Sequence, residues 1–191
     1  MSLIPAFKIG IWNAWIFMSV FIVQMLAIAF INKSSWERSH VSKEARRNML
    51  ERYIGIIANF IWLLTLIYSI FLPFRLGTIW FYVGFLVFII GFILMTIATY
   101  DFITTPPDQL ITKGLYRFSR HPLYLSTFFI CVGSGIATAS WLFIFFSLIL
   151  VFCLHQEALV EERYCLDRYG SAYQEYINSV PRWFGVKNRL W

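Results

Sequence analysis

Residues 122–154 read PLYLSTFFICVGSGIATASWLFIFFSLILVFCL, a run of 33 residues that contains no Asp, Glu, Lys or Arg. A single helix of that length would measure about 50 Å, whereas the hydrocarbon core of a bilayer is roughly 30 Å thick. Gly133, Gly135 and the Ala-Thr-Ala-Ser stretch at 137–140 lie near the middle of the run, and small residues of this kind often interrupt helices. We therefore predict a tight helical hairpin that crosses the membrane twice.

Three more uncharged runs precede the hairpin: Ile9–Asn32, Tyr53–Phe74 and Leu76–Tyr100. Each is long enough to cross a bilayer once as a helix. A chain with 59% hydrophobic and 14% charged residues argues against an ordinary soluble domain. The sequence thus predicts an all-α integral membrane protein with five transmembrane helices. The last helix is expected to continue through His155–Tyr169 as a charged segment, so that the C-terminal region forms a helical cap on the cytoplasmic side.

The Lys and Arg residues predict the orientation of the chain. Six lie at 33–52, three at 101–121 and five after position 155, while Lys8 and Arg75 are the other two of the sixteen. Positive residues collect on the cytoplasmic side of a membrane. The N-terminus is therefore expected outside, and the basic loop at 33–52, the loop at 101–121 and the C-terminus are expected inside. The net charge of +6 is assigned to topology and anionic lipid, with no nucleic-acid partner.

The first run is expected to remain as an anchor, because its apolar stretch is about twice the length found in a cleaved signal peptide.

The chain then divides into residues 1–100, with three helices, and residues 101–191, which hold most of the polar side chains that could do chemistry. Because the hairpin leaves and returns to the same face, it should bring His121 close to Glu161 and Glu162. A basic side chain, aromatic rings and two carboxylates together suit a zwitterionic ligand.

Simpler interpretations exist for each of these residues. Arg120 could anchor the chain at the lipid headgroups, His121-Pro122 could only start a helix, and the Glu161-Glu162 pair could be a solvated helix face. No metal site is expected, since the His and Glu spacing matches no helical zinc pair. The three cysteines are interpreted as small apolar filler, because their spacing fits neither a metal nor a redox motif; they are Cys131, Cys153 and Cys165.

Taken together, several motifs resemble the isoprenylcysteine carboxyl methyltransferase and phospholipid methyltransferase superfamily. The resemblance covers roughly residues 108–184, and its motifs are Gly114-x-Tyr116, Arg120-His121-Pro122-x-Tyr124, the hairpin, Glu161-Glu162, Tyr169-Gly170-x-x-Tyr173-x-x-Tyr176 and Val180-Pro181-Arg182. It implies that residues 101–191 are a catalytic region that binds S-adenosylmethionine on the cytoplasmic side, below a C-terminal segment that includes Tyr173, Tyr176, Pro181, Arg182 and Trp183.

The same resemblance implies roles for individual residues. The expected cofactor-binding residues are Gln109, Leu110, Ile111, Gly114, Tyr116, Arg120, His121, Tyr124, Glu161 and Glu162. Glu162, ahead of His121, is the candidate general base for an acceptor that must lose a proton. The expected substrate-binding residues are His155, Glu157, Arg182 and Trp183.

One departure bears on the methyl acceptor. The prenylcysteine methyltransferases carry an Arg a few residues before the double Glu, whereas this chain has His155-Gln156-Glu157 there. The negative charge of Glu157 should favour an amine, hydroxyl or thiol over a carboxylate. The acceptor is expected to be a membrane lipid, or a lipidated small molecule or protein. Two alternatives remain open: an NADPH-dependent membrane sterol or steroid reductase, and a non-catalytic lipid-binding membrane protein.

Overall fold

A computed structural model describes residues 7–31, 48–106 and 108–185. These residues form α-helices and no β-strand, apart from one isolated bridge between Asn13 and Pro73. The helices are α1 (Trp15–Ile31), α2 (Met49–Ile70), α3 (Ile79–Ile103), α4 (Pro122–Ala137), α5 (Trp141–Tyr169) and α6 (Ser171–Ser179), with a short 3₁₀ helix at Gly114–Arg117. Most of the basic loop predicted at 33–52 lies outside the described residues, as do Pro107 and the residues after Gly185.

Three of the described helices, α2, α3 and α5, are long and apolar enough to cross a membrane. The apolar helices α1 and α4 are shorter. Together they fit the predicted all-helical integral membrane protein, while the number of five crossings stays a prediction. Within α5, residues 141–154 are uncharged, and the charged remainder from His155 to Tyr169 continues as the same helix beyond that apolar segment.

The 33-residue uncharged run divides into two helices, and the break falls in the predicted Ala-Thr-Ala-Ser stretch at 137–140 and not at Gly133 or Gly135. α4 ends at Ala137, and α5 begins at Trp141 with Ser140 as its N-cap, whose side chain accepts a hydrogen bond from the Phe143 N–H. Ala139 between them has a φ of +54°. Gly133 lies inside α4, where it packs against α3.

Glycines set the distance between α3 and α4, which form the most extensive helix contact of the described chain. A Cβ at Gly84 would overlap the backbone of Ala137, and a Cβ at Gly133 would overlap the backbone of α3. Small residues of this kind allow membrane helices to approach closely. These contacts lie near the start of α3 and the end of α4, and they hold the two antiparallel helices together. The candidate site lies at the other end of the pair.

Two helix starts differ from the predicted runs. α2 begins four residues before Tyr53, because Asn48 and Glu51 form a capping box in which the Glu51 N–H donates to Asn48 Oδ1 over 2.8 Å. α1 begins six residues after Ile9. The segment before it is instead bound to the end of α2, where Asn13 Nδ2 donates to the carbonyl oxygen of Ile70 over 2.7 Å.

Candidate active site

Arg120 and His121 occupy the turn between the 3₁₀ helix and α4, and both are buried. Pro122 takes the first helical position of α4, where the lack of an N–H costs nothing. The Oγ of Ser119 accepts a hydrogen bond from the His121 N–H over 3.1 Å and donates to the carbonyl oxygen of Arg182 over 3.1 Å. This turn therefore holds two basic side chains in a fixed direction and also contacts the C-terminal segment.

Glu162 on α5 is the centre of the site. Its Oε1 accepts hydrogen bonds from Arg120 Nε over 3.0 Å and from Arg182 Nε over 2.9 Å, and it lies 3.2 Å from His121 Nε2. Its Oε2 accepts from Arg182 Nη2 over 2.8 Å. The Glu162 side chain is only 8% exposed. Charge-assisted bonds of this kind stabilise a buried carboxylate that would otherwise be costly.

The C-terminal segment 177–183 is tied to the same turn by main-chain contacts. Arg120 Nη1 donates to the carbonyl oxygens of Ile177 and Val180 over 3.1 Å and 3.0 Å, and the Arg120 N–H donates to the Pro181 carbonyl oxygen over 3.1 Å. One arginine thus joins α4, α5 and the C-terminal segment. We refer to Arg120, His121, Glu162 and Arg182 as the Glu162 cluster.

Glu161 extends the cluster towards a more exposed side. Tyr124 Oη donates to Glu161 Oε1 over 2.5 Å, and His121 Nδ1 lies 3.5 Å from Glu161 Oε2. Both ring nitrogens of His121 therefore face a carboxylate, which favours the doubly protonated imidazolium. The Glu161 side chain is 29% exposed, so it retains capacity to bind a ligand.

The charges shift the pKa values of the two central groups in opposite directions. Burial alone would lower the pKa of His121, but hydrogen bonds with Glu161 and Glu162 outweigh it, so this pKa is raised above 6.5. Burial alone would raise the pKa of Glu162, but hydrogen bonds from Arg182 and His121, with the charge of Arg120, hold it well below its usual range. Both shifts therefore favour the charged form of the group concerned.

Aromatic rings line the side of the cluster that holds His121. The His121 ring stacks on Tyr124 with 5.4 Å between ring centroids and 4° between planes. Trp183 approaches His121 at 6.3 Å and His155 at 5.7 Å. Two of the predicted substrate-binding residues, His155 and Trp183, therefore contact each other, and Trp183 also reaches the cluster.

Two comparisons with known proteins show the family of the chain. Residues 72–172 match the model of the phospholipid methyltransferase family, which is more than half of the chain. The chain belongs to this family. The family match contains Arg120, His121, Glu161 and Glu162, and ends before Arg182.

The second match is to the protein-S-isoprenylcysteine O-methyltransferase of Schizosaccharomyces pombe. The two chains are 32% identical over 73 residues, which is 38% of this chain and 31% of the relative. The match thus spans less than a third of the relative's own length. Both findings confirm the superfamily resemblance that the motifs indicate.

The loop before the 3₁₀ helix carries the other residues expected to bind a cofactor. Leu110 packs with Tyr173, Tyr176 and Val180 in a small apolar cluster, whereas Gln109 is exposed and Ile111 is half-buried. Buried Tyr116 accepts, at its carbonyl oxygen, a 2.7 Å hydrogen bond from Tyr176 Oη. The C-terminal helix α6 therefore contacts both this loop and the 3₁₀ helix that follows it. Glu157 is half-buried, one helical turn before Glu161.

Two buried polar residues of the site were not singled out from the sequence. Ser119 could have been found as a hydroxyl residue two positions before a helix-starting His-Pro, a place where Ser often bonds to the backbone. Asp101 directly follows an apolar run, and an acidic residue in such a place is commonly assigned to solvent. Asp101 is instead buried, and it accepts a hydrogen bond from the Leu115 N–H.

Proposed function

We propose that this protein is an S-adenosylmethionine-dependent membrane methyltransferase whose acceptor is a lipophilic molecule dissolved in the bilayer. The observation that carries the proposal is the Glu162 cluster, which lies largely within the residues matched by the phospholipid methyltransferase family. The apolar helices α4 and α5, which begin beside the cluster and carry Glu162 respectively, fit an enzyme whose acceptor arrives from the membrane. The relative's name, an O-methyltransferase of isoprenylcysteine, supports a lipidated acceptor in that protein.

The residues present fit S-adenosylmethionine, which combines an ammonium, a carboxylate, a sulfonium and an adenosine. Glu161, partly exposed, can accept from an ammonium or from ribose hydroxyls. Tyr124 and Trp183 offer ring faces for a base or a cationic sulfur. The residues proposed to hold the cofactor are those expected from the sequence: Gln109, Leu110, Ile111, Gly114, Tyr116, Arg120, His121, Tyr124, Glu161 and Glu162.

The bound cofactor supplies an already activated methyl group, so the protein has mainly to orient the reactants and exclude water. The buried cluster fixes the start of α4, the charged half of α5 and the C-terminal segment relative to one another. Fixed positions of these three segments are needed to orient the cofactor and the acceptor. The rings of Trp183 and Tyr124 shield the same region from solvent.

Glu162 is the candidate general base, the group that would take a proton from the acceptor. From the sequence, Glu162 ranks ahead of His121, but three basic side chains surround Glu162 and lower its pKa, which makes it a weak proton acceptor. We infer that Glu162 acts mainly by holding Arg120, His121 and Arg182 in place. A proton lost by an amine, hydroxyl or thiol acceptor would then pass to Glu161, the more exposed carboxylate of the pair. A carboxylate acceptor has no proton to lose.

The acceptor is proposed to be an amine, hydroxyl or thiol in preference to a carboxylate. Arg182 brings a cation next to the glutamate pair, but both oxygens of Glu162 already neutralise it. Glu157 leaves a negative charge on the adjacent turn of α5. His155, Glu157, Arg182 and Trp183 are the residues proposed to contact the acceptor.

The proposal includes five membrane crossings, by α1 to α5, with the N-terminus outside and the site and C-terminus in the cytoplasm. The distribution of Lys and Arg supports this orientation. α1 and α4 are shorter than a typical crossing, so they would cross where neighbouring helices and flanking residues shorten the apolar path.

Calorimetric titration of the detergent-purified protein with S-adenosylmethionine and, separately, NADPH tests the proposal. We expect binding of S-adenosylmethionine that His121→Ala and Glu161→Gln weaken, and no binding of NADPH. Glu175→Gln, an exposed carboxylate on α6, is the matched control and should bind as the wild type does. NADPH binding would favour the reductase alternative, and binding of neither cofactor would favour a non-catalytic membrane protein.

A further inference from the structure

Asp101 is a buried carboxylate that contacts the loop of the proposed cofactor site. It lies near the C-terminal end of α3, with 6% of its surface exposed, and its Oδ2 accepts a hydrogen bond from the Leu115 N–H over 3.0 Å. Leu115 belongs to the 3₁₀ helix that follows residues 109–113. A charged acceptor in such a place is costly unless its partner is fixed.

The backbone at Gly114 lies close to the Asp101 carboxylate. Its φ is +54°, a conformation that side chains with a Cβ rarely adopt, and a Cβ at this position would overlap the Asp101 carboxylate. The chain therefore passes directly over Asp101, and only glycine permits the approach. The position of the 3₁₀ helix and the position of the Asp101 side chain therefore depend on each other.

Two further contacts limit where this loop can go. Lys113 Nζ donates to Thr104 Oγ1 over 2.7 Å, which joins the loop to the residue that ends α3. At the far side, Tyr176 Oη donates to the Tyr116 carbonyl oxygen. Lys113 and Thr104 form an exposed contact, whereas the Asp101 bond is partly buried, so Asp101 should contribute more to the fixed position.

We propose that Asp101 is a positioning residue, which sets the place of residues 109–115 and thereby the affinity for the cofactor. This inference rests on the proposed binding of S-adenosylmethionine. A residue that only stabilised the fold would lower the amount of active enzyme, and so the maximal rate, without changing the KM for cofactor or acceptor. A positioning residue of this loop changes the KM for the cofactor alone.

The test uses the full chain in detergent or liposomes, with Asp101→Leu, Asp101→Asn and Gly114→Ala. Asp101→Leu keeps the side-chain size without an acceptor, Asp101→Asn keeps an acceptor oxygen, and Gly114→Ala displaces the loop without altering α3. We expect Asp101→Leu and Gly114→Ala to raise the cofactor KM and the calorimetric Kd for S-adenosylmethionine by about tenfold, with the acceptor KM unchanged. Asp101→Asn should recover most of the affinity.

Asp108→Asn is the matched control, because Asp108 is an exposed carboxylate in the same loop. It should leave both KM values unchanged. Wild-type affinity in Gly114→Ala and in a folded Asp101→Leu would overturn the proposal, and so would equal rises in the cofactor and acceptor KM values. If Asp101→Leu does not fold, Gly114→Ala and Asp101→Asn decide the outcome. A wild-type protein that fails to bind S-adenosylmethionine overturns the proposed function instead.

Discussion

Glu162 shows how one side chain can organise a site from distant parts of the chain. It contacts Arg120 and His121, about forty positions earlier, and Arg182, twenty positions later. The sequence predicts that the hairpin brings His121 to Glu162. The contact with Arg182 could not be predicted, because no periodicity or membrane boundary fixes where the segment after α6 lies.

Replacement of Glu162 by Gln should leave three basic side chains without their shared carboxylate. Breaking a buried ion pair on one side costs about 3 to 5 kcal/mol, so we expect the thermal midpoint to fall by roughly 6 to 20 °C and S-adenosylmethionine binding to weaken. Thermal unfolding in detergent measures the first effect. Glu175→Gln should melt like the wild type, and an unchanged midpoint in Glu162→Gln would contradict the central role of this carboxylate.

The two opposite pKa shifts predict a pH range of greatest stability. His121 has a raised pKa, so its contribution is complete below about 6.5 and declines as the pH rises through the folded-state value. Glu162 has a lowered pKa, so its contribution is complete above about 4.5 and declines progressively as the pH falls below that value towards the folded-state pKa. Both contributions are full between about pH 4.5 and 6.5.

Unfolding by denaturant, measured from pH 5 to pH 9, tests the histidine part of this prediction. The free energy of unfolding of the wild type should decline towards alkaline pH more than that of His121→Gln, which cannot lose a proton there. Parallel curves for the two proteins would show that His121 is not ionised between the glutamates.

At the level of elements, close contact between α3 and α4, through glycines remote from the site, fixes the two helices that lead to it. Gly84→Ala places a methyl group against the backbone of α4, and overpacking of this kind costs about 1 to 3 kcal/mol or more. We expect a lower thermal midpoint and a lower rate of methyl transfer. Val83→Ile adds one carbon to a partly exposed position of the same helix and should change neither.

The elements also show what a run of apolar residues can and cannot predict. Its length correctly indicates a hairpin within 122–154, since no single crossing needs 33 residues. It does not tell a glycine that ends a helix from a glycine that lets helices touch, and Gly133 belongs to the second kind. The uncharged run also predicts the wrong start for α2. It begins at Tyr53, whereas the helix begins earlier and includes the charged residue Glu51, which helps to cap it.

For the whole molecule, the length of α5 relates the site to the membrane. Its 29 residues span about 43 Å, which exceeds the roughly 30 Å core of a bilayer. With the apolar part of α5 across the bilayer, as proposed, the half that carries Glu161 and Glu162 would lie at or beyond the headgroups. An acceptor with a lipid tail could remain in the bilayer while its polar end reaches the site.

The proposed orientation can be tested with single cysteines in a protein that lacks Cys131, Cys153 and Cys165. Ser171→Cys follows α5, and Leu76→Cys precedes α3; both positions are exposed. A membrane-impermeant thiol reagent should label Leu76→Cys in intact cells and Ser171→Cys only after permeabilisation. The reverse pattern would show that the site faces outwards.

The bonds from Arg120 to the carbonyl oxygens of Ile177, Val180 and Pro181 have a consequence for biosynthesis. Every apolar helix leaves the ribosome before these residues do, so the membrane part can insert while Arg120 still lacks three of its partners. A chain released after Ser179 would contain all of the membrane helices, yet it would leave Glu162 without Arg182. Membrane insertion and completion of the site are thus separate events, and a cell could hold inserted protein that is not yet competent.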